Sequence, residues 1–265
     1  MMHHKSFKSY TSGGFMFRIL LLFVFVLSIQ PPNLSSAAES GCITGDCENG
    51  TGVVVFQNTS RYEGEFMEGK YNGKGTFTFA NGSVYEGEYA NGLYHGQGTI
   101  TYANGSSYAG EFKDGKYDGR GTFTFASGAS YTGQYSANNI HGQGTFSYAD
   151  GSVYTGEFSN GRKHGHGVLT HADGSKYSGQ FQDGNYHGQG IYSFPGGEQY
   201  SGEFREGNIH GQGKFIYADG SRYIGEFKNG WRNGRGLYID PEGRKYSGEF
   251  RNDEFLGQSS LRFRQ

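Results

Sequence analysis

YEGEFMEGKYNGKGTFTFANGSV, residues 62–84, sets a pattern that the rest of the chain repeats without a single insertion. Its first tyrosine, Tyr62, recurs 23 residues apart as Tyr85, Tyr108, Tyr131, Tyr154, Tyr177, Tyr200, Tyr223 and Tyr246. With each of these as position 1, position 3 is Gly in all nine units and position 4 is Glu or Gln. Position 5 is aromatic: Phe66, Tyr89, Phe112, Tyr135, Phe158, Phe181, Phe204, Phe227 and Phe250. Glycine returns at position 12, and at position 14 until Ser259 ends the series. A degenerate earlier unit, residues 39–61, keeps Gly41, Gly50 and Gly52 in register ahead of Val53, Val54 and Val55. Self-similarity at a fixed short period marks a repeat architecture.

Positions 1–5 and 14–18 alternate apolar and polar residues with period two, which predicts two strands of about five or six residues per unit. Between one unit's second strand and the next unit's first lies a turn such as Ala80-Asn81-Gly82, and its Gly never changes. The residue before that Gly varies, and Ser127 and Glu242 resist positive φ. The expected turn is therefore type I followed by one left-handed Gly, rather than a two-residue mirror-image turn. This loop pairs position 16 with the next position 1, and 14 with the next 3. Aromatic residues then share one face, where rings lie flat over the glycines of positions 3 and 14. Thr, Ser and Glu share the other. The fold class is all-β: an elongated, single-layer solenoid of β-hairpins growing ~9–10 Å per repeat at ordinary strand spacing.

Composition agrees. Gly is 48 of 265 residues, about two and a half times the usual share, and aromatics are 17%. No apolar spacing of three and four recurs after residue 40, so a helical core is not expected. The net charge is −2; without residues 1–38, 20 basic and 25 acidic side chains remain. That balance argues against a nucleic-acid partner.

Lys5, Lys8 and Arg18 precede an 11-residue apolar run, Ile19 to Ile29, and small residues follow through Ala38. This is the pattern of a secretory signal peptide over residues 1–38, with Met16 an alternative start. An uncleaved anchor and lipid attachment at Cys42 are the other readings. The chain is then expected to be exported, to the periplasm, cell envelope or medium. Cys42 and Cys47 are the two cysteines and are candidates for a small disulfide loop in an oxidising compartment.

Three polar patterns tempt a catalytic or metal reading. Position 11 holds His95, His141, His164, His187 and His210, but equivalent residues ~9–10 Å apart cannot share one ion. The position-4 carboxylates repeat in identical surroundings, whereas acid–base pairs need different ones; hydrogen bonding across strands is expected of them. Gly-x-Gly is followed by a strand, not by the helix a phosphate loop requires. No catalytic residue, metal ligand or cofactor is expected. Spanning strands of a membrane barrel need ~9–11 residues, more than the five or six expected here.

The stretch from Tyr62 to Phe77, recurring nine times in register over residues 62–265, closely resembles the MORN repeat (membrane occupation and recognition nexus). The resemblance implies a hairpin array with roles in scaffolding, self-association or membrane association. The signal sequence with the Cys-x4-Cys start resembles exported bacterial members. The expected function is a non-catalytic envelope scaffold for a protein partner or for itself, with dimerisation through the C-terminal repeats. Phospholipid headgroups and glycans are the alternative ligands. The aromatic residues of positions 1 and 5 named above are the expected interaction face.

Overall fold

The computed structural model describes residues 41–257. The expected signal sequence and the last residues of the final repeat, 258–265, lie outside the described residues.

The protein is all-β, with no helix among the described residues. These fall into two compact units, residues 41–150 with 158–161, and residues 151–157 with 162–257. In the first unit lie β1 (Gly41–Gly45), β2 (Thr51–Val55), β3 (Arg61–Met67), β4 (Lys70–Thr78) and β5 (Val84–Ala90). They are followed by β6 (Leu93–Thr101), β7 (Ser107–Lys113), β8 (Lys116–Thr124), β9 (Ser130–Ser136) and β10 (Asn139–Ser147). After β11 (Val153–Ser159), the second unit holds β12 (Arg162–Thr170), β13 (Lys176–Gln182), β14 (Asn185–Ser193) and β15 (Gln199–Arg205). Then come β16 (Asn208–Ile216), β17 (Arg222–Lys228), β18 (Trp231–Ile239), β19 (Lys245–Arg251) and β20 (Glu254–Gly257). Within each unit, consecutive strands pair antiparallel in an open single-layer sheet.

The expected register is present: Phe77 faces Tyr85 and Gly75 faces Gly87. The loop between them is a type I turn closed by a left-handed Gly. The Gly82 N–H donates to Phe79 O (2.9 Å), and the Phe79 N–H to Ser83 O (2.8 Å). All eight position-21 glycines have φ between 83° and 95°. In the degenerate first unit Thr59 holds that place at φ 70°, against the preference of a β-branched side chain.

The strands are longer than expected, seven and nine residues in a full repeat, because each repeat is itself a hairpin. Met67 pairs with Lys70 across a two-residue turn in which Glu68 (φ 51°) and Gly69 (φ 67°) are both left-handed. Asn91-Gly92, Asp114-Gly115 and Asn229-Gly230 are equivalent dipeptides with the sequence signature of a mirror-image turn. Strand length therefore does not exclude a barrel; the open sheets do.

A bulge bends the hairpins β3–β4, β5–β6, β7–β8, β9–β10, β13–β14, β15–β16, β17–β18 and β19–β20. Gly64 faces Gly75 and Phe66 faces Tyr71, so Glu65 stands opposite three residues, 72–74. Such a bulge leaves backbone groups unpaired and increases twist. The freed carbonyl of Tyr71 accepts the N–H of Gly92 in the next repeat (2.9 Å). A second tie joins successive repeats at the other turn, where Ser60 Oγ accepts the Ala80 N–H (3.0 Å) and Ser83 Oγ that of Ala103 (3.0 Å).

The core is one row of rings. Tyr62 lies so close over Gly75 that a Cβ there would sit 2.4 Å from the phenol oxygen. Its hydroxyl donates to Glu65 O (2.9 Å). The ring stacks on Tyr71 at 4.0 Å and meets Phe66 and the next repeat's Tyr89 edge-on at 5.1 and 5.2 Å. Each such pair adds about 0.5–1.5 kcal/mol beyond its buried area. At the start of the array the Cys42–Cys47 disulfide is formed, and Cys47 Sγ covers Gly52 as Tyr62 covers Gly75.

Candidate binding face

The aromatic columns expected to form the interaction face are instead the core. Seventeen of the eighteen residues are 0–5% exposed: Tyr62, Phe66, Tyr85, Tyr89, Tyr108, Phe112, Tyr131, Tyr135, Tyr154, Phe158, Tyr177, Phe181, Tyr200, Phe204, Tyr223, Phe227 and Phe250. Tyr246 alone is half-buried. The cover comes from position 10, which the sequence reading left out: Tyr71, Tyr94, Tyr117 and Tyr186 fold back over the position-1 rings through the bulge. Burial pushes the phenols of Tyr62, Tyr85, Tyr108 and Tyr131 up, that of Tyr131 to about 12.

Position 10 varies, and the exceptions are informative. Arg232 fills it in the eighth repeat, buried over the rings of Tyr223, Tyr238 and Phe250 and paired through Nε to Asp253 Oδ1 at 3.2 Å. Lys163 fills it in the fifth, with Nζ 5.8 and 5.9 Å from the ring centres of Tyr154 and Phe181; burial pulls its ammonium down to about 8. Position 18 forms a half-buried aromatic strip beside the core. There Tyr102 hydrogen-bonds the Tyr117 hydroxyl, and His171 Nε2 lies 2.6 Å from the Tyr186 hydroxyl.

The position-4 column closes the bulge. Glu65 Oε1 accepts the Lys74 N–H (2.9 Å), Glu111 that of Arg120 (2.8 Å) and Glu203 that of Gln212 (2.9 Å). Gln134 and Gln180 serve equally, accepting from Gln143 (2.8 Å) and Gln189 (2.9 Å), because only one acceptor oxygen is required. Position 11 stands at the bulge. Asn72 bonds the adjacent Gly73 N–H, and Asp118 the N–H of Ala137 in the next repeat. His95 Nδ1 is 4.0 Å from Asp114 Oδ1. Among the described residues no group of three His, Cys, Asp or Glu side chains converges on a metal position.

The other face of the sheet is open. In the first unit one row across it, one residue per strand, reads Glu63, Thr76, Glu86, Thr99, Ala109, Thr122, Thr132, Thr145. In the second unit the same row reads Val168, Ser178, Ile191, Ser201, Lys214, Ile224, Leu237, Ser247. Ile191 and Ile224 are 45% and 44% exposed. They border an open groove of about 610 Å³ floored by Gly190, Gly202 and Gly213, with Gln189, Gln212 and Lys214 on its walls. The period-two parity of positions 2, 15, 17 and 23 assigns these residues to one face. The shift from Thr to Ile after residue 168 is the signal in the sequence that the expectation of an aromatic face passed over.

With fold and faces in view, the class is a β-hairpin repeat scaffold. The MORN-repeat model matches nine consecutive stretches: 62–84, 85–107, 108–130, 131–153, 154–176, 177–199, 200–222, 223–243 and 246–258. The chain belongs to the MORN-repeat family, a non-catalytic repeat type. Among curated proteins none matches it. Among solved structures it is similar to the wild-type TCP10 domain of CPAP from Danio rerio (17% identity, 78% of this chain, 95% of that one, TM-score 0.42). It is also similar to the SAS-4 TCP domain of Drosophila melanogaster, solved in complex with a proline-rich motif of Ana2 (16% identity, 66% and 96%, TM-score 0.39).

Proposed function

We propose that this protein is a non-catalytic scaffold of the cell envelope that holds a protein partner on the outer face of its C-terminal unit. The observation that carries this reading is the exposure of Ile191 and Ile224 on a face whose opposite side is a closed aromatic core. A monomer gains nothing in stability from isoleucines left in water. The position-4 side chains are used in closing bulges, and among the described residues no group of three His, Cys, Asp or Glu side chains converges on a metal position. Lys5, Lys8, Arg18 and the apolar run after them support export.

Site-specific photo-crosslinking in the producing cell tests this. A crosslinker at position 224 is expected to yield one discrete protein adduct that a crosslinker at position 122 does not. Adducts at both positions or neither, or a cytosolic protein after fractionation, overturns the proposal. Self-association through the C-terminal repeats would appear in the same experiment as an adduct of twice the chain mass.

A further inference from the structure

Directly after β12, the position-18 residue His171 brings its imidazole Nε2 to 2.6 Å from the phenol oxygen of Tyr186 in β14. Other phenols of this unit end on groups that take no proton. Tyr177 donates to Gln180 O (2.7 Å), Tyr200 to Glu203 O (3.0 Å) and Tyr192 to Ser175 Oγ (3.0 Å), and none of these acceptors is a base at neutral pH. Tyr246 reaches Asp240 Oδ2 (3.2 Å), but Arg244 Nε already holds that oxygen at 2.5 Å. In the first unit the contact equivalent to His171–Tyr186 joins two phenols, Tyr102 and Tyr117.

His171 differs because an imidazole accepts a proton near neutral pH. Its surroundings favour the charged ring. Asp173 stands two residues on, and its carboxyl is held below the usual carboxylate range by hydrogen bonds from Ser175 and by the neighbouring His171. A carboxylate so placed stabilises the imidazolium that forms when the ring takes a proton. Two residues after Tyr102 the chain has the uncharged Asn104. Tyr186 is 4% exposed, stacked on Tyr177 at 3.9 Å and met edge-on by Phe181 and Phe204 at 5.5 and 5.9 Å. Its oxygen is therefore closed to a substrate, whereas an electron crosses packed rings without contact.

We propose that Tyr186, His171 and Asp173 form a redox site that gives one electron to a strong one-electron oxidant, such as a peroxyl radical or a ferryl haem. The electron leaves the Tyr186 ring and reduces the oxidant by one unit. The phenolic proton passes along the hydrogen bond to His171 Nε2. The products are a neutral tyrosyl radical and an imidazolium beside Asp173. A phenol stripped of an electron is a strong acid, so its oxidation is favoured where a base stands ready for the proton. The neighbouring rings form a route to it: Tyr177 meets Phe204 at 5.0 Å, Phe204 meets Tyr200 at 5.1 Å, and Tyr200 meets Phe227 at 5.2 Å. A hole formed along that row settles at Tyr186, where the proton can leave. The site gives one electron per chain without turnover and stands independently of the scaffold reading.

The test uses the full chain, oxidised in unbuffered solution by photogenerated tris(bipyridine)ruthenium(III), an outer-sphere one-electron oxidant. Electron paramagnetic resonance of the frozen sample identifies the radical, and transient absorption times its formation. A neutral tyrosyl radical is expected, formed more slowly in heavy water because the proton moves with the electron. Tyr186→Phe is expected to lower its yield, and His171→Gln to slow its formation, each by about tenfold or more. Glutamine keeps an acceptor for the phenol but is no base, so a purely structural His171 would leave the rate unchanged. Asp173→Asn preserves the turn bond that Asn104 makes with the Ser106 N–H (2.9 Å) and is expected to slow formation by a smaller factor. Tyr102→Phe, at the same repeat position as His171, is expected to change neither yield nor rate. A yield untouched by Tyr186→Phe, a rate untouched by His171→Gln, or a persistent radical at Trp231 in place of tyrosine overturns the proposal.

Discussion

The same row of outer-face positions reads Glu63, Thr76, Glu86, Thr99, Ala109, Thr122, Thr132, Thr145 in one unit and Val168, Ser178, Ile191, Ser201, Lys214, Ile224, Leu237, Ser247 in the other. Beneath both rows the core is alike: a buried Tyr at position 1, a ring at position 5, and paired glycines under the tyrosine. Charge follows the outer face. Residues 41–150 hold six basic and eleven acidic side chains, net −5; residues 162–257 hold twelve of each, net zero. A one-layer sheet separates its two tasks by parity. Odd and even residues of each strand answer to different constraints, so one side keeps the fold while the other is free to acquire a ligand.

The largest effects should come from breaking the side that the two units share. Gly75→Ala in the first unit and Gly213→Ala in the second both thrust a methyl into a tyrosine ring, at 2.4 Å from the Tyr62 and Tyr200 hydroxyl oxygens. Each is expected to cost about 3 kcal/mol, as for an overpacked core. Urea denaturation of both variants compares them; a large cost in one unit only would mean that the two cores are not equivalent.

Turns come next. Gly151 has open space around its missing Cβ but a φ of 91°. Gly151→Val is therefore penalised by backbone strain alone, about 2 kcal/mol. Thr59→Gly, which relieves the same strain, should stabilise by about 1 kcal/mol. Melting curves for the pair should move in opposite directions, and equal shifts would refute the turn assignment.

Glu111→Ala should cost about 0.5–1 kcal/mol by removing the acceptor of the Arg120 N–H, and Glu111→Gln should restore nearly all of it. If the charge were what mattered, Gln would fail too, and thermal melts distinguish the cases.

A pH test isolates the fifth repeat. The Lys163 ammonium has a folded value lowered from 10.5 to about 8, so the unfolded chain binds the proton more tightly between those values. Stability from this site rises with pH across that window and its penalty is complete below pH 8. Lys163→Ile, the residue at Ile140 and Ile209, should raise the melting temperature at pH 7 and lose its advantage as pH approaches 10.5. A pH-independent gain would assign the effect to packing. The smallest effects belong to the outer row: Thr122→Val and Ile224→Ser should each stay within about 0.5 kcal/mol of the parent. A larger loss in either would show that this face also holds the fold.

Much of the architecture is legible in the sequence. The invariant Gly at position 21 beside a variable position 20 specified a type I turn with one left-handed residue, and the register followed from it. The second hairpin was harder to read, although Asn91-Gly92 and Asn229-Gly230 carry its signature, because Ala137-Asn138 and Asn252-Asp253 blur the column. Hydrogen bonding by Glu65 is what the sequence predicts. Its partner, a backbone N–H nine residues on, depends on a bulge that no residue type announces.

Period, strand order and the parity of the two faces are local properties, since hairpin loops and alternating side chains act within a few residues of one another. The sequence by itself therefore settled that this is a hairpin array of 23-residue units with aromatics on one side. Which side meets water is not local. Tyr71 covers Tyr62 through a three-residue bulge, and Tyr89 from the following repeat closes the other edge at 5.2 Å. Only that packing made the aromatic side the core and left Ile191 and Ile224 exposed on the other side. Burial is decided by neighbours that arrive from other turns of the chain, and a pattern of alternating residues cannot say which of its two faces they will cover.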